Sequence, residues 1–406
     1  MRGYFKSVPL LFQKFSNPVD SIYLSSALAK TIVQLLIIYL LAIYITGKTN
    51  PLNEQFLLAG VLVTVLFQTF GYNKSIGIID PAVTYMFFYA LALVYVLLFF
   101  LPFFLSFYHK QNIRFNFLLV FGLLFLSVIL AFNGPLNPAV VLIVCPLIIV
   151  FKWHHYYSIN NNGAFLKRLF SAFKAIPFYL KFILGFCLML CVYSLFIGMN
   201  NASNILNNIP LWLRYARLPE GLYMQYLNET GSILLLALIL VNAVLIKRQS
   251  ENSERNKILN LLKWIGVFSM LYILLLPLGG YREYRPFIIR GDTIMPVTLC
   301  LFFFLGISSV FLIKSIEAEL KNFYVMLLVV SGFIFANAES LNNRFNSCER
   351  QSLEAISRSD EKIVQIEGNC SIIAWNKITD YHDSEIIGAM LLDWNITKEK
   401  KLFYQK

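Results

Sequence analysis

Residues 277–296 read PLGGYREYRPFIIRGDTIMP and set Arg282, Arg285 and Arg290, with Glu283 and Asp292, between strongly apolar runs at 261–277 and 293–313. A short charged stretch between two long apolar runs reads as the loop of a membrane hairpin, because about 20 predominantly apolar residues cross the hydrocarbon core as a helix. Only helices and closed barrels satisfy the backbone inside a bilayer, and these runs do not alternate as barrel strands do. The stretch commits the chain to a helical membrane fold.

The same pattern repeats along the chain. Spans are expected near 31–47, 55–70, 82–107, 115–132, 136–151, 178–199, 232–247, 261–277, 293–313 and 322–337. The fold class is therefore an all-α polytopic membrane protein of about ten transmembrane helices. Composition agrees, with 58% hydrophobic and 14% charged residues, where soluble domains carry about a quarter charged. The net charge of +12 does not imply a nucleic-acid partner. The basic residues sit in short loops between apolar runs, as cytoplasmic anchors do, so the partner is the lipid bilayer.

Three regions are expected. Residues 1–30 read either as an interfacial amphipathic lead-in with Tyr4, Phe5, Leu10, Leu11, Phe12 and Phe15 toward lipid or as an ordinary solvated lead-in. Residues 31–337 form the transmembrane domain. Residues 338–406 turn polar and predict a small α+β cap, with helices at 348–357 and 384–394 and alternating strands at 362–367 and 371–375. Cys348 and Cys370 are the only cysteines in this tail and are the natural disulfide if it faces an oxidising compartment. A further amphipathic helix is expected within 152–181, where Phe165, Leu166, Leu169, Phe170 and Phe173 stand opposite Lys167, Arg168 and Lys174.

One set of alternate loops is rich in lysine, including Lys48, Lys110, Lys152, Lys257 and Lys314, and belongs in the cytoplasm by the positive-inside rule. The opposite set, with the tail, faces outward and favours arginine: Arg214, Arg217, Arg282, Arg285 and Arg290. A guanidinium grips phosphate through two parallel hydrogen bonds, whereas lysine is a hydrated point charge. Two readings of these arginines stay open. With Tyr215, Tyr281 and Tyr284 they form either a site for an anionic ligand or an interfacial anchor belt. The outward carboxylates Asp80, Glu220, Glu229, Glu283 and Asp292 are the candidate bases. Asp80, just before Pro81, also suits a helix N-cap, and Glu283 and Asp292 suit neutralisation of neighbouring arginines. The histidines lack metal-ligand spacing, no metal site is expected, and no P-loop, dinucleotide fingerprint, GxSxG or HExxH pattern appears. The cofactor is left open.

These features together, about ten spans, the outward loops GGYREYRPFIIRGD and RYARLPEGLY, and a small outward C-terminal unit, resemble bacterial multipass GT-C-type and O-antigen glucosylating membrane glycosyltransferases. The resemblance lies in the plan and not in a specific motif. It implies a bacterial inner membrane location, a polyprenyl-phosphate sugar donor and a glycan or lipid acceptor. It also implies an outward base, here Glu220 or Asp80, with Arg214, Arg217, Arg282, Arg285, Arg290, Tyr281 and Tyr284 holding the donor. The chain departs from that pattern, since no acidic loop follows its first span. With ten spans and an outward tail, the basic N-terminus falls outside, against the charge rule. Either a span escapes the sequence reading or a leading helix is absent. A flippase or transporter for a lipid-linked or anionic solute, and a non-catalytic membrane subunit, are the alternative functions.

Overall fold

A computed structural model describes residues 1–68, 77–134, 136–159, 165–200, 209–228, 230–279, 287–338 and 346–406. Among these, eight helices are long and apolar enough to cross a membrane: Pro18–Thr46, Val83–Phe107, Leu136–Ile159, Phe178–Met199, Thr230–Arg248, Ser253–Gly279, Gly291–Ser315 and Ala318–Asn337. The chain is an integral, polytopic helical membrane protein. Two further expected spans are apolar helices, Glu54–Phe67 and Phe117–Phe132, of 10–17 residues. At 1.5 Å per residue they reach at most about 26 Å, short of a core about 30 Å thick.

The chain divides into two compact units, residues 33–339 and residues 1–32 with 340–406. In the first, Gly291–Ser315 is the central helix, buried almost continuously from Ile294 to Leu312. Thr230–Arg248, Ser253–Leu275 and Glu54–Thr64 pack against it, and Phe117–Phe132 and Leu136–Ile159 pack on Phe178–Met199. Large side chains fill the interior, among them Phe99, Phe103, Phe302 and Phe304. One polar knot crosses it. Asn242 donates to Ser308 Oγ at 2.8 Å and Ser309 Oγ at 3.0 Å, while the Tyr324 hydroxyl reaches Asn242 Oδ1 at 2.9 Å. Helix Phe165–Ala175 follows the amphipathic expectation, with Phe165, Leu166, Phe170 and Phe173 exposed and Ala172 buried.

The second unit joins the two ends of the chain. Helices Ser347–Arg358 and Glu385–Asp393 enclose a core of Leu353, Ile356, Val364, Ile372, Leu391, Trp394 and Phe403. Cys348 and Cys370 are joined in a disulfide, consistent with an oxidising compartment. Strand β1, Ile363–Ile366, pairs in parallel with β2, Leu402–Gln405. The expected strand at 371–375 is therefore corrected to 402–405. At Ile373 the chain turns to φ +51°, which ends extended structure, and the Ile373 amide donates to Glu349 Oε1 at 2.8 Å.

Helix Arg2–Phe12 is part of the same unit. Phe5 packs on the Trp394 ring, whose Nε1 donates to the Phe5 carbonyl at 2.8 Å, and the Tyr4 hydroxyl donates to Ser25 O at 2.8 Å. These two side chains turn inward where the sequence placed them toward lipid, while Leu10, Leu11 and Phe15 stay exposed. Gln13 donates to the Trp394 carbonyl, Asp20 pairs with Arg350, and Tyr23 donates to Glu349. The 29 residues of Pro18–Thr46 make a helix about 44 Å long, longer than the ~30 Å core.

Candidate functional site

The two arginine-bearing segments that the sequence assigned to separate outward loops lie against each other. Pro210 opens the short helix Leu211–Ala216, and Pro219 opens the next, Leu218–Leu222, as proline's fixed φ and missing N–H favour at a first turn. From the first helix, Arg214 donates from Nε to Ile209 O at 3.1 Å and from Nη1 to Pro277 O at 3.2 Å. The Tyr215 hydroxyl donates to Leu274 O at 2.9 Å. Both bonds tie this segment to the end of Ser253–Gly279. From the second helix, Gly221 meets Ile289 so closely that a Cβ there would stand 3.2 Å from the Ile289 Cβ.

Beneath them, Leu218, Tyr226, Tyr272, Ile289, Ile294 and Val297 join one apolar cluster. Tyr226 is buried against Thr298, and burial pushes its phenol well above the ordinary range, so it stays protonated. The Tyr272 hydroxyl donates to Thr293 O at 2.9 Å. This fixes the start of the central helix against Ser253–Leu275.

Arg290 is held by its own loop. Its guanidinium donates to Asp292 through Nε at 2.9 Å and Nη2 at 2.8 Å, a fork in which both side chains are mostly enclosed. Asp292 Oδ1 also accepts from the Thr293 amide at 3.0 Å, and Thr293 Oγ1 accepts from the Arg290 amide at 3.0 Å. The pair therefore starts the helix Gly291–Ser315 and carries little net charge outward. Arg214, bound to two carbonyls, is also committed to the frame.

Arg217 is half-buried and Glu220 is exposed on the Leu218–Leu222 helix. Among the described residues Glu220 forms no ion pair, and it neighbours Gly221, whose contact with Ile289 sets the junction. Asp80 stands at the start of Val83–Phe107, where its Oδ1 accepts from the Ala82 amide at 2.7 Å, a short local turn of the kind that aspartate favours. Tyr281, Arg282, Glu283, Tyr284, Arg285 and Glu229 lie outside the described residues. No group of three His, Cys, Asp or Glu suited to a metal occurs among the described residues. The sequence reading missed the docking role of Arg214, since a guanidinium spent on backbone carbonyls leaves no mark in the sequence. No family model, curated protein or solved structure matches the chain.

Proposed function

We propose that this protein is a glycosyltransferase of the bacterial inner membrane that takes a sugar from a polyprenyl-phosphate donor and passes it to a surface glycan or lipid acceptor. The observation that supports this reading is the junction of 209–228 with 274–279 and 287–293, made by Arg214 on Pro277, Tyr215 on Leu274 and Gly221 on Ile289. Arg217 and Glu220 belong to the first segment, and Arg282 and Arg285 lie in the sequence between the other two. In this reading Arg217, Arg282 and Arg285 hold the donor phosphate, with Tyr281 and Tyr284 as flanking contacts. Glu220, or Asp80, takes the proton of the acceptor hydroxyl. That oxygen then attacks the anomeric carbon, the glycosidic bond to phosphate breaks, and polyprenyl phosphate leaves with the bonding electron pair. Guanidinium groups aimed at the leaving phosphate stabilise the charge that develops there. The extracytoplasmic side is the working face, in keeping with the disulfide in the tail.

A transporter for an anionic solute expects charged side chains lining a path through the spans. Among the described residues, no Asp, Glu, Lys, Arg or His is buried in the membrane unit, so the transferase reading is preferred. The test is transfer from a labelled polyprenyl-phosphate sugar by the purified protein in lipid. Arg282→Lys and Arg285→Lys are expected to weaken donor binding with insertion intact, and Glu220→Gln to lower turnover with donor binding retained. Unchanged donor binding in both arginine variants, or movement of the labelled donor across proteoliposomes without transfer, ends the transferase assignment.

A further inference from the structure

The membrane unit contains a cavity of about 310 Å³, at the small end of the roughly 300–1,000 Å³ typical of ligand sites. Helix Val83–Phe107 contributes a wall from Leu93 to Phe107, about 21 Å of helix axis. Val140, Val144 and Ile148 face it from Leu136–Ile159, with Pro296, Leu299 and Phe303 from the central helix. The lining is apolar apart from Tyr44 and Cys300, and the Tyr44 hydroxyl is already bound to Leu97 O at 2.7 Å. Such a space offers water no partners and suits a hydrocarbon chain.

One end of the cavity is basic. Phe107, in its wall, carries Lys152 Nζ over its ring at 3.9 Å. Phe104, also in the wall, stacks on Tyr108, and Lys257 Nζ stands 3.9 Å over that Tyr108 ring. Lys257 lies within electrostatic reach of Lys110, and Lys314 of Lys48, with Glu254 the one carboxylate acting on both pairs. None of the five lysines forms an ion pair among the described residues. With none of these five lysines in a direct ion pair there, this end is basic, and it belongs to the lysine-rich set expected to face the cytoplasm, where the leaflet is anionic.

We propose that this is a site for an anionic membrane lipid, one hydrocarbon chain lying in the cavity and the headgroup phosphate held by Lys152 and Lys257. Charge complementarity at the rim and an apolar lining behind it select that occupant over a neutral lipid or a soluble anion. The inference does not rest on the transferase activity, since the residues involved are separate from the arginine-bearing segments.

The experiment is native mass spectrometry of the full-length protein in detergent, titrated with phosphatidylglycerol, chain-matched phosphatidylcholine or inorganic phosphate. Phosphatidylglycerol is expected to be retained preferentially, by roughly fivefold for each lysine that engages the phosphate. The double variant Lys152→Gln/Lys257→Gln should reduce it to the phosphatidylcholine level. Val144→Phe, which fills the cavity and spares the lysines, should lower retention of both lipids, and Leu97→Trp does the same from the opposite wall should the first variant fail to fold. Equal retention of the two lipids by the wild type overturns the headgroup assignment. Wild-type retention of phosphatidylglycerol in a folded cavity-filled variant overturns the chain site, and displacement of the lipid by inorganic phosphate shows a free-anion site instead.

Discussion

At the scale of single residues, Gly134 shows why one position tolerates no side chain. It turns at φ +91°, and a Cβ there would stand 2.5 Å from the Phe88 carbonyl oxygen. Both the conformation and the contact oppose substitution, because the obstacle is backbone and cannot rotate away. Gly134→Ala is expected to cost about 1–3 kcal/mol, read as a lowered melting temperature in detergent. Gly122→Ala, in Phe117–Phe132 with nothing within 4 Å of its would-be Cβ, should be neutral or stabilising. An equal loss in both variants would show that the Gly134 turn is not strained against Phe88. The tight turn at Asn133-Gly134 was readable, since glycine beside asparagine is turn chemistry. The fork between Arg290 and Asp292 was half readable, because the sequence offered Asp292 as a neutraliser without excluding a role as a base.

At the scale of elements, the knot of Asn242, Ser308, Ser309 and Tyr324 joins three helices, Thr230–Arg248, Gly291–Ser315 and Ala318–Asn337. Side-chain hydrogen bonds between membrane helices contribute roughly 0.6–1.7 kcal/mol each. Asn242→Leu removes the shared partner of three interhelical bonds, while Ser308 keeps its bond to Phe304 O and Ser309 its bond from Tyr324, so a loss of about 1–2 kcal/mol is expected. Thermal unfolding of the purified protein checks it, and Tyr324→Phe should reproduce part of the loss. A variant as stable as the wild type would mean that the bonds between these helices contribute nothing to stability. The elements themselves were largely legible, as among the described residues each expected span overlaps an apolar helix, eight of them long enough to cross a membrane. The second strand was not. Ser371–Trp375 and Leu402–Gln405 both alternate, and a four-residue alternation carries no record of its partner. Parallel pairing with Ile363–Ile366 is chosen by contacts far apart in sequence.

At the scale of the whole molecule, both ends of the chain belong to one unit, through Trp394 on Phe5, Gln13 on Trp394 and Arg350 with Asp20. A compact unit that holds both ends keeps Ser7 and Lys398 on one side of a membrane. Cysteines introduced at Ser7 and Lys398 are expected to react with a membrane-impermeant thiol reagent from the same side, after blocking native thiols. Labelling from opposite sides would break the shared unit.

The sequence by itself determined that the chain crosses a membrane as helices, roughly where each helix runs, and which loops carry lysine or arginine. These properties follow from local hydrophobicity and charge, which each segment presents to lipid and water without help from its neighbours. Only the tertiary structure decided that Arg214 and Arg290 are spent on the protein's own carbonyls and carboxylate. It alone joined residues 1–32 to the tail, and enclosed an apolar cavity beside Lys152 and Lys257. Each of these depends on which helix faces meet, and in a membrane that choice is made by shape and hydrogen bonding between helices whose outer surfaces are equally apolar.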